Sequence, residues 1–184
     1  MQQRLVTHDS YWLKHTQTSA VSAIRPRFAS LSGTHRSDVA IVGGGITGLS
    51  TALELLERGY SVAVYDALII SAGTTSASTG HADAHPETGA SGLIKKLGIE
   101  ASRQYVELRK QAIDLIEQRA TPSCDFVRVP AFQYSEDQAD EHEMRQEFES
   151  AVTIGLDAHF EGDLTSNVEH MRVGFRLIDM ARLN

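Results

Sequence analysis

Three consecutive glycines, Gly43, Gly44 and Gly45, sit between two apolar runs in VAIVGGGITGLSTALELLERGYSVAVYD, residues 39 to 66. Ordered glycine costs more backbone entropy than any other residue, so such a cluster needs a reason. Val39-Ala40-Ile41-Val42 is a short continuous apolar run ending in glycine. That pattern predicts a strand buried on both faces of a parallel sheet. Ile46, Leu49, Leu53 and Leu56 then recur at helical spacing up to Arg58. Gly59 is a helix stop, and Ser61-Val62-Ala63-Val64-Tyr65 reads as a second strand. Strand, helix and strand in so short a span form a βαβ unit with a right-handed crossover.

The glycines are spaced Gly43-x-Gly45-x-x-Gly48 at the strand-to-helix turn, and each has its own task. Gly43 allows the tight turn. Gly45 lets a pyrophosphate approach the main chain. Gly48 lets the helix pack close to the strand, and the extra Gly44 relaxes the same turn. Free N–H groups of the first helical turn, with the helix dipole, then favour an anion there. Asp66 closes the second run, 18 positions after Gly48, where an acid accepts hydrogen bonds from an adenosine ribose. The same acid disfavours a 2′-phosphate, so NADP fits worst. FAD and NAD present the same ADP half, and this motif leaves both open.

After Asp66 comes a long run of small residues, SAGTTSASTGHADAHPETGASG. Gly73 to Gly80 supplies hydroxyls and unhindered amides. It reads either as a lining for more phosphate and ring or as a flexible surface loop. His81, Asp83 and His85 alternate, which puts them on one face if extended. Nothing nearby completes a metal shell, so a capped loop or a cofactor contact is expected. Residues 93–119 keep a helical period split at Gly98. Phe126–Val129 and Phe132–Tyr134 read as two strands joined at Pro130-Ala131. The acidic stretch 136–149 reads as a solvated helix face. Ala158–Phe160 and Val173–Leu177 suggest further strands.

Residues 1–37 are basic and rich in Ser and Thr, as a transit peptide is, but Tyr11, Trp12 and Leu13 favour an irregular arm anchored over the domain. Charged residues are 22% of the 184 and net charge is -7, which argues against a broad nucleic-acid surface. Cys124 is the sole cysteine, read as a small buried hydrophobe. With no intrachain disulfide possible, a reducing, cytoplasmic setting is the simpler reading. No apolar run approaches the roughly 20 residues of a membrane span.

Taken in order, SYWL, DVAIVGGGITGLSTALEL, SAGTTSASTGHADAHPE, LGIEASRQYVELRKQAIDLIEQ and CDFVRVPAFQYS resemble the N-terminal part of FAD-dependent oxidoreductases related to glycine oxidase and D-amino-acid oxidase. The gamma-glutamylputrescine oxidase-like and Rieske-fused branch is the most similar. The resemblance implies an α/β fold: a Rossmann-like FAD-binding βαβ core followed by the beginning of an α+β substrate domain. It divides the chain into an arm (1–37), an incomplete FAD-binding domain (38–122) and a partial substrate domain (123–184). It implies FAD as cofactor, with Gly43, Gly45, Ile46, Thr47 and Gly48 on the diphosphate and Asp66 on the ribose. Thr74, Thr75, Ser76 and His81 would line the side toward the flavin.

The implied activity is oxidation of a small amine or amino acid by hydride transfer to flavin, with no catalytic side chain assigned. Such enzymes are about twice this long, and the chain holds no iron–sulfur ligand set. A truncated product, a fragment, or half of a split flavoprotein with a complementing C-terminal chain is therefore expected. A non-catalytic dinucleotide-binding module is the alternative.

Overall fold

The computed structural model describes residues 28–71, 73–161 and 170–183. The expected anchor of the arm, Tyr11, Trp12 and Leu13, lies outside them. Contacts divide the chain into two compact units, Met1–Thr79 and Gly80–Asn184.

In the first unit, β1 (Val39–Val42) and β2 (Val62–Tyr65) pair in parallel, Val39 opposite Val62 and Val42 opposite Tyr65. Helix α1 (Ile46–Glu57) connects them, completing the βαβ unit read from the sequence. The helix ends as its sequence dictates. Gly59 takes φ +85°, its N–H donates to Leu56 O at 2.9 Å, and Tyr60 N donates to Leu55 O at 3.0 Å. These two bonds are the paired contacts of a glycine C-terminal cap. Burial departs from expectation. Val42 is 91% exposed, and Ile46, Leu49, Leu53 and Leu56 are all exposed, while Ala52 is buried. Two strands of four residues cover only one narrow stripe of the helix, so the face read as core stays uncovered among the described residues.

The second unit is an α+β layer built on one long strand. β6 (Val173–Arg182) pairs antiparallel with β4 (Val127–Ser135) along its length. Its other edge is shared by β5 (Ala158–Glu161) and the short β3 (His81–Ala82). Helices α2 (Ala90–Leu97), α3 (Ile99–Arg119) and α4 (Glu141–Thr153) complete the unit. Leu93, Val106, Ile113 and Ala151 from the helices, and Ile154 just after α4, meet Phe175, Leu177 and Met180 of β6 in one buried cluster. Phe148 packs edge-on against Phe160 and Phe175, with centroids 5.6 Å and 5.9 Å apart, a favoured aromatic geometry.

Two features differ from the sequence reading and a third adds to it. Residues 127–135 form one strand, not two joined at Pro130. The register shifts there, Val129 facing Met180 and Ala131 facing Leu177. A β-bulge is where a sheet tolerates a residue without an N–H. The antiparallel partner of this strand is β6, distant in sequence. Next, the small-residue run is not a structureless loop: it holds a 3-10 turn (Thr74–Ala77), β3 and the start of α2. Finally, contacts group residues 80–122 with the later sheet in one compact unit. The pairing of His81 and Ala82 with Arg182 and Ala181 causes this. Gly80 permits that approach: at φ +71°, a Cβ there would lie 2.1 Å from Leu183 O. The split at Gly98 (φ +79°) stands as read.

Candidate functional site: the glycine turn before α1

The turn from β1 into α1 is braced from within its own unit. Gly43 takes φ +106°, reachable at low cost only without a Cβ, and its N–H donates to Tyr65 O at 2.7 Å. A Cβ on Gly48 would lie 1.9 Å from Gly43 O, so helix and turn meet at backbone contact there. The close-packing task assigned to this glycine is what the coordinates show.

Asp66 stands at the end of β2 beside the turn. Its Oδ2 accepts from Gly44 N at 2.8 Å and its Oδ1 from Leu68 N at 2.9 Å. The Leu68 N–H, then the Gly44 N–H, hold its carboxyl below the usual aspartate range, against the opposing effect of burial. The acid expected to meet a ribose is thus first a brace of the glycine turn. It remains exposed, and each carboxylate oxygen keeps a further lone pair to accept a hydroxyl.

Thr75 supplies the other brace. Its Oγ1 accepts from Ile46 N at 3.0 Å, so the 3-10 turn Thr74–Ala77 reaches the first residue of α1. Ser71 N donates to Gly44 O at 2.8 Å. The sequence reading missed Ser71 and the direct Thr75–Ile46 contact, and the only available signal was the density of hydroxyls after the acid. Among the described residues, the N–H groups of Gly45 and Thr47 have no acceptor. Ile46, Thr47 and Thr74 are exposed, while Gly44 is buried. The turn therefore keeps an open side with free donors at a helix N-terminus, where the dipole favours an anion. A flat, Cβ-free approach at Gly45 fits a pyrophosphate.

Ser76 shares the 3-10 turn with Thr74 and Thr75. His81 belongs to the second unit, exposed on β3 opposite Arg182. Asp83 Oδ1 accepts from His85 N at 2.7 Å, an Asx turn, while the His85 ring lies edge-on to Phe175, its centroid 6.4 Å away. The structure does not leave these three alternating residues as equivalent members of one face. Cys124 is half-buried beside Thr121, whose hydroxyl lowers the thiol's proton affinity.

The model of the family described as FAD dependent oxidoreductase (DAO) matches residues 38–174, from the foot of β1 into β6. The chain belongs to the DAO family. Among its relatives, YhfW of Bacillus subtilis (strain 168), named for a Rieske 2Fe-2S iron-sulfur protein, is 28% identical over 159 residues, 85% of this chain and 30% of that protein. Gamma-glutamylputrescine oxidoreductase of Escherichia coli (strain K12) is 30% identical over 102 residues, 54% of this chain and 24% of that one. Glycine oxidase of Geobacillus kaustophilus (strain HTA426) is 37% identical over 68 residues, 37% of this chain and 18% of that one.

The chain spans about a third or less of the curated relatives it matches. In fold it is similar to the crystal structure of the Geobacillus kaustophilus glycine oxidase, with TM-score 0.61 at 21% identity over 82% of this chain and 41% of that one. L-amino acid deaminase from Proteus vulgaris gives TM-score 0.58 at 18% identity, over 87% of this chain and 37% of that one. At such identities the likeness is one of fold, and it is the FAD-binding α/β fold read from the sequence. No helix among the described residues is long and apolar enough to cross a membrane.

Proposed function

We propose that this DAO-family chain binds FAD through the turn before α1 and serves an oxidoreductase acting on a small amine or amino acid. One observation carries the reading: among the described residues, the N–H groups of Gly45 and Thr47 have no acceptor at the start of a 12-residue helix, beside glycines without a Cβ. Gly43 and Gly48 shape the turn. Gly45 and Thr47 present free amides to the diphosphate, with Ile46, whose N–H is held by Thr75, exposed between them. Asp66 accepts a ribose hydroxyl while bracing Gly44. Thr75 holds Ile46 N through its oxygen and keeps its own O–H proton to donate to a phosphate. Thr74 extends this polar lining within the first unit, and Ser76 and His81 are carried over as cofactor contacts from the family resemblance alone.

Bound flavin supplies the acceptor for a hydride leaving the carbon next to the substrate nitrogen. The chain's contribution is binding and orientation, and no side chain is assigned as base. The chain spans about a third or less of its curated relatives, and the residues that complete the ring environment are taken to lie outside it.

The test is the visible spectrum of the protein loaded with FAD, with and without a panel of amines and amino acids under anaerobic conditions. Bleaching of the flavin band by a member of the panel supports the reading. Tight FAD binding without bleaching by any member favours a non-catalytic dinucleotide-binding module.

A further inference from the structure

Gly44 is buried beneath the segment that follows β2. Its N–H donates to Asp66 Oδ2 at 2.8 Å, and its carbonyl oxygen accepts from Ser71 N at 2.8 Å. A Cβ on Gly44 would lie 2.3 Å from Ile70 Cδ1 and 3.3 Å from Asp66 Oδ2. Asp66, Ile70 and Ser71 therefore close on this one residue from the same short segment.

The two bonds fix two peptide planes. In a trans peptide the C=O and the N–H of the next residue point in opposite directions. No peptide among the described residues is cis. With Gly44 O turned toward Ser71, the Gly45 N–H of the same plane is turned away from that segment, to the open side of the turn. With the Gly44 N–H turned toward Asp66, Gly43 O points the other way, to where Gly48 comes within backbone contact. The alternation recurs one residue on: the Ile46 N–H goes to Thr75 Oγ1, and Gly45 O accepts from Leu49 N at 3.0 Å. The protein thus uses the N–H groups of Gly44 and Ile46 and leaves that of Gly45 facing outward between them.

A pair of glycines needs such a constraint. Without a Cβ on either side, the plane between Gly44 and Gly45 can turn over at little steric cost. Turned over, it would present a carbonyl oxygen to an anion and repel it. Ser71 decides between the two arrangements. It is half-buried and holds φ +62°, a conformation uncommon for a residue other than glycine, and in it the Ser71 N–H reaches Gly44 O. The hydroxyl lies 3.4 Å from the same oxygen, at the limit of hydrogen bonding, so the main-chain bond does the holding.

We propose that Ser71 is a positioning residue of the nucleotide site: its main-chain N–H, acting through Gly44 O, aims the Gly45 N–H at the diphosphate. The inference rests on the nucleotide reading given under Proposed function and adds to it the group that orients the donor. Ser71 acts through Gly44 and not by contact with the ligand.

Calorimetric titration of the 184-residue chain with ADP and with adenosine tests it, since only ADP carries phosphates to the Gly45 N–H. The parent should bind ADP at least tenfold more tightly than adenosine. Ser71→Pro has no N–H to give Gly44 O. It should lower that preference at least fivefold while adenosine binding stays within threefold, because Asp66 keeps its bond from Leu68 N. Ser71→Gly keeps the N–H, suits the positive φ and should retain the parent's preference. Far-UV circular dichroism establishes the fold of each variant. A measurement on the parent stands apart from the variants: in nitrogen–proton NMR spectra the Ser71 amide should exchange more slowly than that of Gly45, and ADP but not adenosine should shift the Gly45 amide. Three results overturn the proposal: a folded Ser71→Pro with the parent's preference, equal loss of ADP and adenosine affinity, or a Ser71 amide that exchanges as fast as that of Gly45. A parent with no preference for ADP over adenosine overturns the nucleotide reading and this proposal with it, and is seen before any variant is made.

Discussion

Replacing Glu147 by glutamine tests whether one buried carboxylate ties α4 to the start of α2. The side chain is 8% exposed. Burial alone would raise its proton affinity. His85, the Ser91 hydroxyl and the N–H groups of Ala90 and Ser91 outweigh that and lower the pKa from 4.5 to about 2. At about 1.4 kcal/mol per tenfold change in proton affinity, the ionised form contributes on the order of 3 kcal/mol at neutral pH. The folded pKa is the lower one, so this contribution is complete above the unfolded value of 4.5 and fades as pH falls toward 2. Glutamine mimics the protonated acid. Glu147→Gln should therefore be about 2–3 kcal/mol less stable than the parent at pH 7, and the gap should narrow by about 1.5 kcal/mol at pH 3.5. Urea unfolding followed by far-UV circular dichroism measures the gap, and amide exchange at Ala90 and Ser91 localises it. A gap under about 0.5 kcal/mol, or one independent of pH, would refute the reasoning.

Gly48→Ala should cost more than Gly44→Ala. The first Cβ meets backbone at 1.9 Å, whereas the second meets the mobile tip of Ile70 at 2.3 Å. About 1–3 kcal/mol against under 1 kcal/mol is the expected pair in thermal melts, and the reverse order would contradict the packing account. Arg128 joins β4 to α3 through Asp114 and Glu117, both at 2.6 Å, and bonds Asp179 O at 3.0 Å. Arg128→Ala should cost about 1 kcal/mol, with the loss shrinking in molar salt. Thr75→Val frees the Ile46 N–H and removes a hydroxyl, and should weaken FAD binding roughly tenfold, since each lost hydrogen bond to a charged group is worth about 1.5–3 kcal/mol. Unchanged affinity would remove Thr75 from the site.

What could be read from the sequence was local in cause. Gly43, Gly48 and Gly59 each answer to a backbone demand within a few residues, so strand, turn, helix and strand stood where the glycines put them. Gly98 split its two helices for the same reason. What escaped was set across long separations. Glu147 sits in an acidic stretch whose other members are mostly exposed or half-buried, and nothing local marks it as the one that turns inward to Ala90, 57 positions earlier. Pro130 looked like a turn because its missing N–H suits one. Pairing with β6 accommodates the same defect as a bulge. Within the site, the order of glycines and acid was legible, but the Asp66–Gly44 and Thr75–Ile46 bonds depend on how the later loop folds back.

The central claim is that a dinucleotide's pyrophosphate lies against the main chain at Gly45. Calorimetric titration of FAD and ADP into the parent chain and Gly45→Ala tests it most directly. The added Cβ would come only within 3.3 Å of Thr75 Oγ1, a contact the fold can absorb, while it intrudes on the ligand's approach. The account predicts that the parent binds both nucleotides and that the folded variant binds each at least tenfold more weakly. A parent that binds neither, or a variant that binds as well as the parent, would contradict it.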